Sequence, residues 1–502
     1  MLQIHYIRVS VARSGLFLAR TAIFLVLGLA LAALVACSGG DDPPPDNGKS
    51  SGGGNSSISS SSGGNPSPSS PSGSSSSGGG TSSGGDGVSS SGGGNSNGGG
   101  VSNPNLDDDL KLKLDSAIVI KYNNGTVEYK NNYSDKVAID IRGEDVVVTL
   151  SDSTLRFILT GTTSNGSLKI YGDFKKSLYL NNVSITNKKG PAINIQNHGK
   201  TVKASKRVNV HLVDGTTNFL SDAAGYKCKD FAEGEEQAKG AFFSEGKLEF
   251  KEGKGSLEVK GKCNHAIVAD NNIEIEEGKI TVSEAEGDGI HANDKIQVRG
   301  GEITIRSKGD GIQSEKEAVA ASEEWNVFSG GKIDIQTTGI NSHGIVSEGP
   351  ITIADSASTN ITIKVSGNGS KGIKSKHWLE ILGGKISIET SGGIDKTDPT
   401  DESSPSGIKL VESPDTFFKI ENGELTIKTA KEGAKGINVA GNVYIKGGKI
   451  NIDAYDDGLK VHGTLQITGG TGSIKSKSQK AIDVDGTFNG DTGSITTKNG
   501  VS

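Results

Sequence analysis

From about residue 106 onward, apolar and polar residues alternate with a period of two in short runs, and Gly-Gly or Gly-Lys pairs punctuate the runs. The clearest stretch is GDGIHANDKIQVRGGEITIRSKGDGIQSE, residues 287–315. It predicts three short strands, over 289–293, 295–299 and 302–306, after which the pattern starts again. Ile290, Ala292, Ile296, Val298, Ile303 and Ile305 alternate with polar neighbours, so each strand buries one side.

The apolar position that opens each unit recurs at Ile267, Ile290, Ile312, Ile345, Ile373, Ile408, Ile437, Leu459 and Ile482. The spacings are 23, 22, 33, 28, 35, 29, 22 and 23 residues. The floor is 22–23, and the longer intervals carry visible loops such as EKEAVAASEEWN and GIDKTDPTDESSPS. A fixed short period with insertions at its turns is a solenoid pattern. A propeller blade needs about 40–45 residues, and no helical period supports ankyrin or leucine-rich repeats. Three strands and three turns in 22 residues fit one coil of a single-stranded parallel β-helix, with coils about 4.8 Å apart. The fold class expected is therefore all-β. The right-handed crossover rule for parallel strands makes the helix right-handed.

The first hundred residues read differently. Residues 21–36, TAIFLVLGLALAALVA, form an apolar run preceded by Arg8, Arg13 and Arg20. It is short for a bilayer span, which needs about 20 residues, and suits a secretory signal. Leu34-Val35-Ala36-Cys37 resembles a bacterial lipobox, making Cys37 the lipidated residue and 1–36 the signal peptide. Ser38, rather than Asp, follows Cys37, which implies sorting to the outer membrane or cell surface. Residues 37–105 are then the lipidated cysteine and a disordered Ser/Gly-rich linker, with too little apolar surface to order itself. The body occupies 106–502.

Composition narrows the function. Gly contributes 73 of 502 residues, hydrophobic types 32% and aromatics 5%, which excludes a polytopic membrane protein and disfavours a helix-rich enzyme. Loss of the three arginines in 1–36 would take the net charge from −6 to −9. There is no basic stripe with interleaved aromatics, so nucleic acid is not an expected partner. With Cys37 lipidated, Cys228 and Cys263 make an even pair suited to a disulfide in an oxidising compartment. No Cys/His spacing for zinc, Gly-x-Ser-x-Gly, phosphate loop or His-Glu-x-x-His motif occurs.

Residues 153–222, STLRFILTGTTSNGSLKIYGDFKKSLYLNNVSITNKKGPAINIQNHGKTVKASKRVNVHLVDGTTNFLSD, followed by GAFFSEGKLEFKEGKGSLEVKGKCNHAIVADNNIEI and the Gly-Asp-Gly-Ile coils, carry a family resemblance. Their order resembles secreted bacterial carbohydrate-binding right-handed parallel β-helices akin to pectate lyases. The resemblance spans about 115–500. It implies binding of plant-wall polysaccharide, pectin (polygalacturonate) or cellulose, with calcium in the fold; a monomer is expected. After Ser370 the Asp before Gly-Ile gives way to Lys371, Ser406, Lys435 and Lys480, which departs from the pattern.

Vertical stacking turns side chains into columns. The residue two before each marked position runs His265, Asp288, Asp310, His343, Lys371, Ser406, Lys435, Asp457, Lys480. Asp288 and Asp310 fall one coil apart, where two charges about 5 Å apart repel by roughly 3–4 kcal/mol at an effective dielectric of 20. A bound cation, a shared proton, full solvation or turn hydrogen bonds would relieve that. On the cation reading Ca²⁺ is held by Asp288, Asp310 and Glu286. A second column, Asp270, Asn293, Glu315, Glu348, Lys376, has His291, Gln313 and Lys374 beside it. Acids here, Glu315 among them, would hold Ca²⁺, while Lys371, Lys374 and Lys376 would meet uronate carboxylates alongside His291 and Gln313. Trp378 and the loop residue Trp325 are candidates for stacking on sugar rings, or for capping the core.

Three functions remain open: a polysaccharide-binding lipoprotein, a calcium-dependent pectate lyase, and a surface adhesin or stalk. A lyase would need Ca²⁺ on the uronate and a base to take the C5 proton, with Lys308, Lys371 or Lys374 as that base.

Overall fold

The computed structural model describes residues 116–499 except 152–153, 198–206, 317–324, 355–356, 399, 401 and 412–415. The signal segment 1–36, Cys37, the linker and residues 106–115 lie outside the described residues, as does most of the first inserted loop. Among the described residues every regular element is a β-strand.

The strands wind into a parallel β-helix. One coil runs through Ile290–Ala292, Ile296–Val298 and Glu302–Ser307; the next through Ile312–Ser314, Asn326–Phe328 and Lys332–Thr337. Each strand pairs in parallel with its counterpart one coil on. The first strand of each coil joins a 14-stranded sheet, and the other two join ladders of a 26-stranded sheet. Those two ladders fuse near the amino end, where the single strand Lys176–Thr186 pairs with both Arg207–Leu212 and Thr217–Ser221.

The marked isoleucines stack as the period predicts. Ile267, Ile290, Ile312, Ile345, Ile373, Ile408, Ile437, Leu459 and Ile482 follow one another in Cα register. All but Ile482 are buried. Immediately before them runs a column of glycines, Gly289, Gly311, Gly344, Gly372, Gly407, Gly436 and Gly458, between Ala266 and Ala481. A Cβ on Gly372 would sit 2.2 Å from Cγ2 of Ile388 and 2.6 Å from the carbonyl oxygen of Gly407. This corner lets a core isoleucine and the next coil's backbone close on the chain, which is why Gly precedes Ile in coil after coil.

The amino end departs from the expected parallel coils. Ile118–Asn123 pairs antiparallel with Val127–Lys130, and Val137–Arg142 with Asp145–Leu150. The second pair forms the outer end of the 14-stranded sheet, so the parallel ladder is closed there by a hairpin. A period of two cannot distinguish the two directions of pairing.

Cys228 and Cys263 are disulfide-bonded, with their Cα atoms 6.2 Å apart. A charge network crosses a neighbouring face. Glu274 lies 2.7 Å from both Lys247 and Arg299, and the buried Glu249 takes Arg207 at 3.2 Å and Lys251 at 3.4 Å. Burial would raise the Glu274 pKa, but the two cations outweigh it and hold the group at about 2. A carboxyl depressed on folding stabilises the fold above its unfolded value of about 4.5, and that stability is lost as pH falls toward 2. Glu274→Gln should therefore remove up to about 3 kcal/mol at neutral pH. It should also flatten the acid limb of a melting-temperature profile measured between pH 7 and 2.

Candidate functional site

The column two residues before the marked isoleucines forms a hydrogen-bonded ladder along one corner. Where the column holds His or Asp, the side chain accepts a hydrogen bond from the next coil's backbone N–H. Asp288 N–H donates to His265 Nδ1 at 2.9 Å, Asp310 N–H to Asp288 Oδ1 at 2.8 Å, and His343 N–H to Asp310 Oδ1 at 2.5 Å. Lys371 N–H then donates to His343 Nδ1 at 3.1 Å. Farther along, Lys480 N–H donates to Asp457 Oδ1 at 3.3 Å. The aspartates thus serve the neighbouring coil's backbone, across the stack rather than within their own turns.

Around Asp288 the ladder widens into a cluster. Its Oδ2 lies 2.9 Å from Nδ1 of His291 and 3.0 Å from Nδ1 of His265, and the two imidazoles stack 4.4 Å apart. Asp288 and His291 are buried, and His265 is half-buried. Burial works against charge on Asp288, but the two imidazoles beside Oδ2 hold its carboxyl well below the usual range. Burial likewise works against the His291 imidazolium, yet Asp288 raises its pKa. Asp310 carries the opposite shift: burial first, then the Asp288 charge, push it to about 7. His343 is driven well below its ordinary value by burial and then by Lys374 and Lys371.

Calcium fits this corner poorly. It takes six to eight oxygens, whereas Asp288 meets two imidazole nitrogens and spends its other oxygen on a backbone N–H, as Asp310 spends its Oδ1. Glu286 lies apart from the cluster in an ion pair with Lys308 at 2.6 Å. Glu315 is exposed, its Oε1 3.6 Å from Nε2 of His291. The four acids therefore do not converge as the oxygen cage expected from their spacing.

The outer face of the 14-stranded sheet brings His291, Gln313, Val346, Lys374, Lys409, Asn438 and Lys460 into Cα register. Lys374 and Lys409 are adjacent and half-buried, and neither is ion-paired among the described residues. Burial, then Lys435 and Lys374, lower the Lys409 pKa. Three lysines near them are engaged. Lys371 Nζ donates to Gly369 O and Ser403 Oγ at 2.5 Å, Lys376 pairs with Glu348, and Lys435 with Asp456 and Asp457 at 2.8 Å. Lys308 and Lys371 are thus tied up by partners, which counts against either as a free base. Lys409 was missed in the sequence, although it continues the column of His291, Gln313 and Lys374.

The two tryptophans part company. Trp325 is buried at 4% exposure, its ring against Gly349 and Lys316, so it packs on the body instead of presenting a sugar platform. Trp378 is half-buried and stacks on Phe417 at 5.7 Å with a 2° interplanar angle; Tyr444 stands edge-on to Phe417 at 6.1 Å. Phe417 was not singled out in the sequence, because the unequal loops hide its proximity to Trp378 and Tyr444. A cleft of about 630 Å³ beside the disulfide is lined by Tyr226, Lys227, Lys229, Lys262 and Glu286, among others.

Comparison with known proteins bears on what these faces serve. The profile of a family described as "carbohydrate-binding domain-containing protein" matches residues 142–481 and 418–501. A protein of that description from Acetivibrio thermocellus is 31% identical over 128 residues, 25% of this chain and 41% of the relative. The chain thus spans less than half of that relative's length. A solved polysaccharide lyase-like protein from C. thermocellum, studied as a gadolinium derivative, aligns at 20% identity and a TM-score of 0.39, covering 63% of this chain and 98% of the other. With more than half of its length matched by the family profile, the chain belongs to the carbohydrate-binding domain-containing protein family.

Proposed function

We propose that this protein binds an acidic plant-wall polysaccharide of the pectin class along the outer face of the 14-stranded sheet. The observation that carries the reading is the pair Lys374 and Lys409, one coil apart, half-buried and without an ion-pair partner among the described residues. The chain as a whole is acidic, at −6, so two ammonium groups without an ion pair in one strip favour an anionic ligand. A uronate polymer offers carboxylates at regular intervals, and a lysine donates charge-assisted hydrogen bonds to them. Asn438 flanks the pair in the same column, Gln313 stands beyond Val346 on the other side, and both offer amides to sugar hydroxyls. The protein acts as a monomer, displayed from a lipid on Cys37 by the linker.

A second reading rests on a separate face. The parallel rings of Trp378 and Phe417, with Tyr444 beside them, suit stacking on a neutral glucan such as cellulose. Affinity gels of polygalacturonate, xylan and cellulose separate the two. Lys374→Ala with Lys409→Ala should weaken retention on polygalacturonate by at least about ten-fold, since each lost charge-assisted bond costs about 1.5–3 kcal/mol. Salt should mimic that loss. Trp378→Ala should affect only the cellulose gel. Unchanged polygalacturonate retention in the double lysine variant would remove the first reading, and absorbance from an unsaturated uronide product would replace binding with lyase chemistry.

A further inference from the structure

We propose that His265, Asp288 and His291 form a binding site for a late first-row divalent ion, with zinc as its representative. One ligand atom from each residue lies within 4.8 Å of the other two. The argument starts from which nitrogen carries a proton. Along this corner a bare ring nitrogen accepts the next coil's N–H: His343 Nδ1 accepts from Lys371, and His265 Nδ1 accepts from Asp288. Nδ1 of His265 therefore carries no proton of its own to place toward Oδ2 of Asp288, 3.0 Å away, and its one lone pair, which accepts Asp288 N–H in the ion-free corner, would exchange that hydrogen bond for the ion on binding.

Two electron-rich atoms at that separation are what a metal ion bridges. Zinc takes imidazole nitrogen at about 2.0–2.1 Å and carboxylate oxygen at about 2.0–2.2 Å, so two of its ligands lie roughly 2.9–3.4 Å apart. The contacts of Oδ2 with His265 and His291, at 3.0 and 2.9 Å, fall in that range. Binding through Nδ1 of His291 leaves the proton on Nε2, which points toward Oε1 of Glu315 at 3.6 Å. A carboxylate behind a ligating imidazole is the usual orienting arrangement in such sites. Two nitrogens and one oxygen favour zinc, nickel or copper over calcium.

Chelator-stripped, untagged full chain titrated calorimetrically with zinc chloride tests this. The expected result is one ion per chain, undisturbed by millimolar calcium, with a rise in melting temperature on saturation. Co²⁺ should give a visible absorption band in the same protein. His265→Ala and His291→Gln should each abolish uptake, Glu315→Gln should weaken it by roughly ten-fold, and His462→Ala, remote from the cluster, should leave it unchanged. Far-UV circular dichroism checks that the variants fold; if His291→Gln does not, His265→Ala and the wild-type melting shift decide. No uptake at millimolar zinc, uptake unchanged in a folded histidine variant, or a site that calcium empties would each overturn the proposal.

Discussion

Gly372→Ala is expected to lower the melting temperature by several degrees. The added methyl would meet Cγ2 of Ile388 at 2.2 Å and the backbone oxygen of Gly407 at 2.6 Å. The first contact is a core side chain held by its own stack, and the second is the next coil's main chain, so neither yields cheaply. Overpacking of this kind costs about 1–3 kcal/mol and sometimes more. Gly393→Ala is the matched control, because its nearest neighbour would be 3.6 Å away. Differential scanning calorimetry of the two variants beside the parent makes the comparison. Equal melting temperatures for both would show that the corner has room and that Gly before Ile has another cause.

Removing the disulfide should cost more. The bond between Cys228 and Cys263 closes a loop with a sequence separation of 35. Chain-entropy reasoning assigns such a loop about 4 kcal/mol, within a usual range of 2–5. Cys228→Ala with Cys263→Ala, or treatment with reductant, should therefore lower the melting temperature markedly. The cleft beside the bond should loosen as well, since both cysteines line it. Fluorescence-detected melting with and without reductant reads the first effect, and proteolysis within 222–239 reads the second. A double variant that melts with the parent and resists protease would mean that packing alone holds this segment.

The period-two alternation and the 22–23-residue spacing make the coil legible in the sequence, and every marked apolar residue falls in the register that spacing demands. Columns of side chains were legible for the same reason. What each column does was not. Asp288 and Asp310 stack as expected, yet their oxygens go to backbone N–H groups and imidazoles, which depends on rotamers that spacing does not encode. His265 and His343 stood in the column unassigned, because an imidazole that accepts a neighbour's N–H has no sequence signature. Trp325 looked available in a long insertion, but its ring is buried against Gly349 and Lys316. The opening hairpins were hidden because alternation is the same in antiparallel and parallel strands.

Successive coils share their hydrogen bonds chiefly with the turn before and the turn after. Each ordered coil is then a template for its successor, with exposed N–H and C=O groups already spaced to receive it. Assembly can advance as a zipper from whichever turn orders first, without waiting for distant parts of the chain to meet.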